Sequence, residues 1–555
     1  MTIITMLDAK KRKNELYNEQ TNQISTWTEI TEGFCPERGK YNTTHKTKVE
    51  VDRKKIINQT PVKCVEEYAN GILSGMTSES RSWFKIGLEG VQDLEEESTK
   101  EYFNNIENIY YAIFSKSKFY DCARNLYAES GAFGDGAIFT EYDYKNIVKF
   151  QTFTAGEYAF TRDSNGDVDS FSRVFPMTIS SLVDKFGYDN CSTATRIAYD
   201  NKNYLVYTNV CHLIDKNKKR DVMKKDNSNF KFYSCYWEEN ANEDKFLRQS
   251  GYKTMPIAVL SINKITSDTH YGYGIANSSL GDAKQLQKLE TEKLINISLI
   301  NKPPTQSHID SNPVLNTLPG GHTYYDGSMQ DSGIRPAYQV PIQLQPIAEE
   351  IKIVEQRIKD AFFIDLFRMF SSLDRQGITA TEIRSRMGEK LDRLSPVLGS
   401  IKNQFLDPIF DRIFEIIMDA GLIPPAPEEL QGRELKIDYI SPLYQAREMI
   451  ETTAIEQLFA FAGSISQVFP DSIDNIDSDK AISLYAEHLG VEDIIKVKKQ
   501  VEQERKEKME AMAMQQQRQD AMEAIQGAKT MSETPIQDNT ALTAMLSGMG
   551  DINVR

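Results

Sequence analysis

Residues 280–300 read LGDAKQLQKLETEKLINISLI, with apolar side chains at Leu286, Leu289, Leu294, Ile297 and Ile300. Steps of three to five residues lay these on one face of a helix roughly 30 Å long, at about 1.5 Å per residue. A second helix is predicted over 346–370, where Ile347, Ile351, Val354, Ile358, Ala361, Phe362 and Ile364 step mostly by three and four. Between the two, Asn301 to Gln345 holds six of the chain's 19 prolines and four glycines, which excludes a continuous helix. The expectation is a rod, a compact projection and a returning rod. Such stripes need a partner, because each buried aliphatic side chain contributes about 1.5–3 kcal/mol. The pattern leaves two partners open: an ordinary core in the same chain, or the stripe of a neighbouring copy.

Downstream, Ser371-Ser372-Leu373-Asp374-Arg375-Gln376-Gly377 is a short polar break. Thr379 or Thr381 then caps a helix carrying Ile383, Met387, Leu391 and Leu394, and a separate helix after Pro396 carries Leu398, Ile401, Phe405, Ile409, Ile413 and Ile416 up to Gly421. Ile423-Pro424-Pro425-Ala426-Pro427 is a linker, residues 441–530 read as increasingly polar helix, and 531–555 read as a flexible tail. Val491 to Ala524 is so rich in Glu, Lys, Gln and Met that such a helix is either exposed or packed on copies of itself.

Upstream, residues 1–32 read as a polar amphipathic helix with Trp27. Thr60 as the N-cap and Pro61 at the first helical position open a helix buried through Val65, Ala69, Ile72 and Leu73. A short strand at Ser82 to Gly87 and two helices over 99–115 and 117–129 follow. Gly131-Ala132-Phe133-Gly134-Asp135-Gly136 has its glycines in the wrong order for a dinucleotide loop and lies between a helix and a strand, so it is a helix-to-strand turn. Alternation marks strands over 148–153, 168–175, 204–213, 230–237 and 257–262. Asp163 to Asp169 mimics a calcium loop, but its glycine is at the fourth place and Val174 stands where a bidentate Glu is required. Asn165-Gly166 between alternating runs is instead a hairpin turn. The expected class is α+β, mainly helical.

With 555 residues and 40% apolar content the chain is long enough for several domains. Its net charge of -15 argues against a tight grip on nucleic acid but is compatible with letting DNA slide past. Six cysteines without C-x-x-C spacing and a charged start predict reduced thiols and a cytoplasmic product. No run of 18 apolar residues suits a membrane, and the scattered histidines give a metal site little to stand on. Phosphate-loop, zinc-protease, nucleophile-elbow and kinase motifs are absent, so no catalytic residue and no cofactor is assigned.

Several segments taken in order resemble the portal proteins, or head-to-tail connectors, of short-tailed bacteriophages. They are Leu73-Ser74-Gly75-Met76-Thr77-Ser78 with Trp83-Phe84, Phe119-Tyr120 with Gly131 to Gly136, Tyr271-Gly272-Tyr273-Gly274, Leu280-Gly281-Asp282, Pro303-Pro304, Thr379-Ala380-Thr381-Glu382-Ile383 and Phe405-Leu406-Asp407-Pro408. The resemblance runs from about residue 20 to 450. It implies the portal fold: wing (1–279 and 379–440), stem helices (280–300 and 346–370), clip (301–345), tunnel loop (371–378) and crown (441–530). It also implies a ring of twelve subunits at one capsid vertex, in the virion, assembled in the host bacterial cytoplasm. Stem packing between copies would fall to Leu286, Leu289, Ile297, Ile351, Val354 and Ile358. The implied partners are double-stranded DNA in the channel, the terminase large subunit, the tail adaptor, and the major capsid and scaffold proteins, with no membrane. Lys288, Lys293 or Arg375 would supply a basic ring braking the DNA. A nucleic-acid-processing enzyme with a dispersed carboxylate metal site is the competing class, distinguished by divalent-metal-dependent DNA cleavage.

Overall fold

The computed structural model describes residues 4–39, 56–88, 97–264 except 222, 225 and 242, 269–308, 316, 318–325, 335–336, 344–372, 380–427, 430, 435–441, 443–444, 455, 458–465, 476–489, 501 and 504–515. The chain divides into two units, Met1–Gln92 with Glu96–Phe469, and Asp93–Glu95 with Pro470–Arg555.

The first unit opens with α1 (Met6–Gln20), which Thr5 caps by accepting the Asp8 N–H on Oγ1 at 3.2 Å. The single helix expected over 1–32 is interrupted by a 3₁₀ turn at Thr21–Gln23 before α2 (Ile24–Gly33). The end of α1 is tied down there: Tyr17 Oη donates to the Glu157 carbonyl and Gln20 Nε2 to the Tyr158 carbonyl, at 2.9 and 2.6 Å. After the turn, Trp27 lies edge-on to Phe133 and Tyr271. Next come α3 (Thr60–Met76), β1 (Phe84–Leu88), α4 (Glu97–Lys116) and α5 (Phe119–Phe133). Thr60 is the first helical residue of α3 rather than its cap; its N–H is accepted by Asn58 Oδ1 at 2.9 Å.

Gly134 ends α5 with φ +98°, and a Cβ there would sit 2.4 Å from the Gly272 carbonyl oxygen, so only glycine fits this helix-to-strand turn. It leads into β2 (Asp135–Asp143), β3 (Ile147–Phe153), β4 (Tyr158–Arg162) and β5 (Val168–Thr178). Gly166, at φ +87°, makes the predicted hairpin between β4 and β5. Short helices α6 (Ile179–Phe186) and α7 (Thr193–Asp200) precede β6 (Tyr207–Lys216), β7 (Phe232–Glu238), β8 (Arg248–Tyr252) and β9 (Ile257–Ser261). The strands form one antiparallel sheet in the order β4-β5-β6-β7-β8 and another in the order β3-β2-β9. Met6, Ala9 and Leu16 of α1 pack on the larger sheet through Ala159, Leu213 and Trp237.

Beyond α8 (Ile275–Ser278) lies α9 (Leu280–Asn301). A small sheet follows, in which β10 (Thr305–His308) pairs parallel with β11 (His322–Tyr325) and antiparallel with β12 (Arg335–Pro336). The helix expected over 346–370 is two helices, α10 (Leu344–Ala361) and α11 (Ile364–Ser372). Phe363 breaks them apart at φ +57°, a conformation that bulky residues seldom take. The cause is packing: Phe362 is fully buried, with its ring 5.8 Å from Phe34 and 6.2 Å from Tyr68. Conversely, α12 (Ala380–Ile401) runs through Pro396, where a new helix was expected. Pro396 is exposed, and Leu391, Leu394, Val397 and Leu398 around it are buried. Four such side chains at about 1.5–3 kcal/mol each outweigh an interior proline's cost of roughly 3 kcal/mol. The irregularity comes later, as a π turn at Lys402–Leu406 before α13 (Asp407–Asp419).

β13 (Leu435–Tyr439) returns to pair with β1, Phe84 opposite Tyr439. Trp83 next to this pair touches the rings of Phe114, Phe119, Phe410 and Tyr439, joining α4, α5, α13 and β13 around one aromatic core. In the second unit a helix spans Ser478–Leu489, and residues 504–515 are helical and, from 505 on, solvent-exposed. All six cysteines are free; five are buried and Cys122 half-buried.

Candidate functional site

The helix pair α9 and α10 with the small sheet between them is where the predicted site residues converge. Asp282 on α9 lies 3.4 Å from Arg357 on α10, and Gln285 donates to Glu350 at 3.2 Å, so the two helices run antiparallel. Their bases are built into the body: Leu286, Ile351, Val354 and Ile358 are buried within this one chain, beside Ala283. Leu289 and Ile297 are half-buried. Farther along α9, Leu294, Ile295 and Ile300 are each 48% exposed, and level with the base Ile353 on the outer side of α10 is 50% exposed. One chain therefore buries the lower part of the stripe fully and the upper part only in part.

A polar clasp that sequence reasoning missed fixes the bases to α3. Gln287 Oε1 accepts the N–H groups of Ile57 and Asn58 at 2.8 and 2.9 Å, and its Nε2 donates to the Asn58 carbonyl at 2.8 Å. Asn58 Nδ2 donates to Glu290 on α9 and to Glu355 on α10, at 3.1 and 2.8 Å. Thr60 Oγ1 adds a donor to Glu355 at 3.3 Å. Lys293 and Lys359 balance these carboxylates at 2.5 and 3.5 Å. One amide thus reads the spacing of both helices. The only local signal was Asn58 standing just before the Thr60-Pro61 helix start.

The described part of the projection between the rods holds a small sheet, stapled where Thr305 Oγ1 meets His322 Nδ1 at 2.7 Å. Of the polar break, Ser371 and Ser372 form the last turn of α11, while Leu373, Asp374, Arg375, Gln376 and Gly377 lie outside the described residues. Of the lysines proposed for a basic ring, Lys293 is bound to Glu290, whereas Lys288 is 79% exposed with Glu292 only at 4.0 Å.

The carboxyl group with the clearest upward shift outside this unit is Asp135. Burial pushes it up to about 6, against the pull of Ser261, Arg162 and Gly272. It is 2% exposed, accepts from Ser261 Oγ, and takes the Gly272 N–H on both oxygens at 3.1 and 3.0 Å. Arg162 completes the network, donating to Ser261 Oγ and to the Val259 carbonyl at 2.7 and 2.9 Å. This joins β2, β4 and β9 and offers no access to a substrate. Among the described residues no three His, Cys, Asp or Glu side chains gather as metal ligands. Among them too, no helix is long and apolar enough to cross a membrane.

The described residues thus form a mainly helical α+β body bearing an antiparallel helix pair with exposed apolar side chains on α9. Residues 7–495 match the family described as "Bacteriophage head to tail connecting protein", and the chain belongs to that family. It is 32% identical over 537 residues to the "Probable portal protein" of Bordetella phage BPP-1, covering 96% of each chain. It is 30% identical over 542 residues to the "Portal protein" of Salmonella phage epsilon15, covering 97% of this chain and 98% of that one. The resemblance read from the ordered motifs between Leu73 and Pro408 therefore holds.

Proposed function

We propose that this connector subunit forms a closed ring at the unique vertex of the phage capsid, with duplex DNA passing through its centre. The observation that carries this reading is the exposed apolar residues of the far half of α9, Leu294, Ile295 and Ile300, on a chain of the head-to-tail connecting family. A head-to-tail ring covers such residues on both sides of the column in every copy, because each subunit presents one face forward and another back. In this reading α9 and α10 are the stem, residues 301–345 the clip and residues 371–378 the tunnel loop. Residues 1–279 and 379–440 form the wing, and residues 441–530 the crown. The half-buried Leu289 and Ile297 extend the packing seam, while Leu286, Ile351, Val354 and Ile358 anchor the stem to its own body.

The ring, twelve subunits in this reading, is a virion component assembled in the host bacterial cytoplasm with major capsid and scaffold proteins. It docks the terminase large subunit during packaging and the tail adaptor afterwards. A summed charge of -15 per copy keeps like-charged DNA from adhering as it moves. The test is the mass of the purified full-length chain in solution, by light scattering or native mass spectrometry. A ring of twelve is expected; a strict monomer at every concentration, with or without scaffold protein, overturns the reading.

A further inference from the structure

The connection between β6 and β7 runs against the charge of the whole chain. Residues 216–231 hold seven cations, Lys216, Lys218, Lys219, Arg220, Lys224, Lys225 and Lys231, against two carboxylates, in a protein whose net charge is -15.

The carboxylates serve the loop's own bracing. Asp221 Oδ1 accepts the Met223 N–H at 3.1 Å, and Asp226 Oδ1 accepts Asn229 Nδ2 at 2.6 Å. Asn229 Oδ1 accepts the Asp221 N–H at 3.0 Å, and the Asn217 N–H donates to the Lys231 carbonyl at 2.8 Å across the base. Lys216 is paired with Asp163 at 2.9 Å and Lys224 loosely with Asp221 at 3.7 Å. Lys218, Lys219 and Arg220 are solvent-exposed, and among the described residues no carboxylate pairs with them. A braced loop thus holds three consecutive cations out into water.

We propose that this hairpin is a sequence-independent contact for the phosphate backbone of duplex DNA, on the five-stranded sheet and separate from the stem. The inference rests on the DNA-conducting reading for the presence of its ligand. Two features favour nucleic acid over a protein partner. Lysine is depleted at protein interfaces, which centre on buried aromatic and apolar groups; among the described residues of the loop the one exposed large apolar side chain is Met223, at 91%. Lysine and arginine on a projecting loop suit phosphates, which duplex DNA presents at about one charge per 1.7 Å and which carry no base sequence.

The test uses the full-length chain and a labelled duplex of arbitrary sequence, with affinity measured by fluorescence anisotropy across a salt series. The variant K218Q/K219Q/R220Q is compared with K116Q/K145Q/K202Q, which removes the same charge from exposed lysines elsewhere. If all three hairpin cations contact phosphates, the log–log salt slope of the first variant falls by about 2.7 and its low-salt affinity at least tenfold. The second variant is expected to match the wild type. Equal slopes for the wild type and the hairpin variant overturn the proposal, as does an equal loss in the two variants. Binding of poly-glutamate without binding of duplex also overturns it, in favour of an acidic protein. Ring mass and DNA affinity are separate readouts, so this proposal and the connector reading can each fail alone.

Discussion

Asn58 and Asp135 are the two side chains on which single-residue experiments bear most directly. Asn58 donates to both Glu290 and Glu355, whose side chains are 12% and 22% exposed. A hydrogen bond to a charged group contributes about 1.5–3 kcal/mol, less where water reaches it. Asn58→Ala is expected to lower stability by about 2 kcal/mol, read from the urea midpoint; an unchanged midpoint would show the clasp to be incidental. Asp135 carries a pH signature. Its folded carboxyl is raised to about 6 by burial, while an unfolded Asp titrates near 3.9. Its stabilising contribution is therefore full below about pH 4 and lost as pH rises through about 6, a change of about 3 kcal/mol. The stability of Asp135→Asn relative to wild type should rise across that window. A constant difference from pH 4 to 7 would contradict the assignment. Neither residue was legible in advance, since both act through partners over 100 positions away in the chain.

Element by element, periodicity was a good guide where one face alone is buried. The stripe in LGDAKQLQKLETEKLINISLI predicted α9 to within a residue of its observed end, and Asn165-Gly166 located a hairpin. Reading failed where distant contacts decide. Phe362 breaks a periodic helix by filling an aromatic pocket, Pro396 is carried inside α12, and β8 has no apolar alternation because all five of its residues are half-buried. The same distinction sharpens the test of the column. Leu286→Asp and Val354→Asp place a charge at fully buried positions of one chain, so they are expected to unfold the subunit. Leu294→Asp with Ile295→Asp alters exposed positions and should leave the subunit's circular dichroism and Tm nearly unchanged while reducing the ring to smaller species. Intact rings from that double variant would remove these residues from the assembly argument.

For the whole molecule, charge and stiffness decide how the connector works. A column tied at its base by Asn58 and crossed by Arg357 is firm where it joins the body. In the connector reading, deleting Leu373 to Gln376 is expected to leave ring mass unchanged and to lower the genome content of the particles. Particles filled normally by the deletion variant would separate this segment from any part in DNA handling. The ordered motifs between Leu73 and Pro408 made the family legible, and near-full-length similarity to two portal proteins bears it out, while the basic β6–β7 hairpin was hidden beneath an acidic average.

The free thiols add a property of another kind. Burial raises Cys35, Cys64, Cys191, Cys211 and Cys235, with Cys64 and Cys211 up to about 12 and Cys191 up to about 11. Oxidants attack the thiolate, and these sulfurs stay protonated behind packed side chains. In the connector reading, a particle that leaves a reducing cell for open air thus carries these five sulfurs with little to rust.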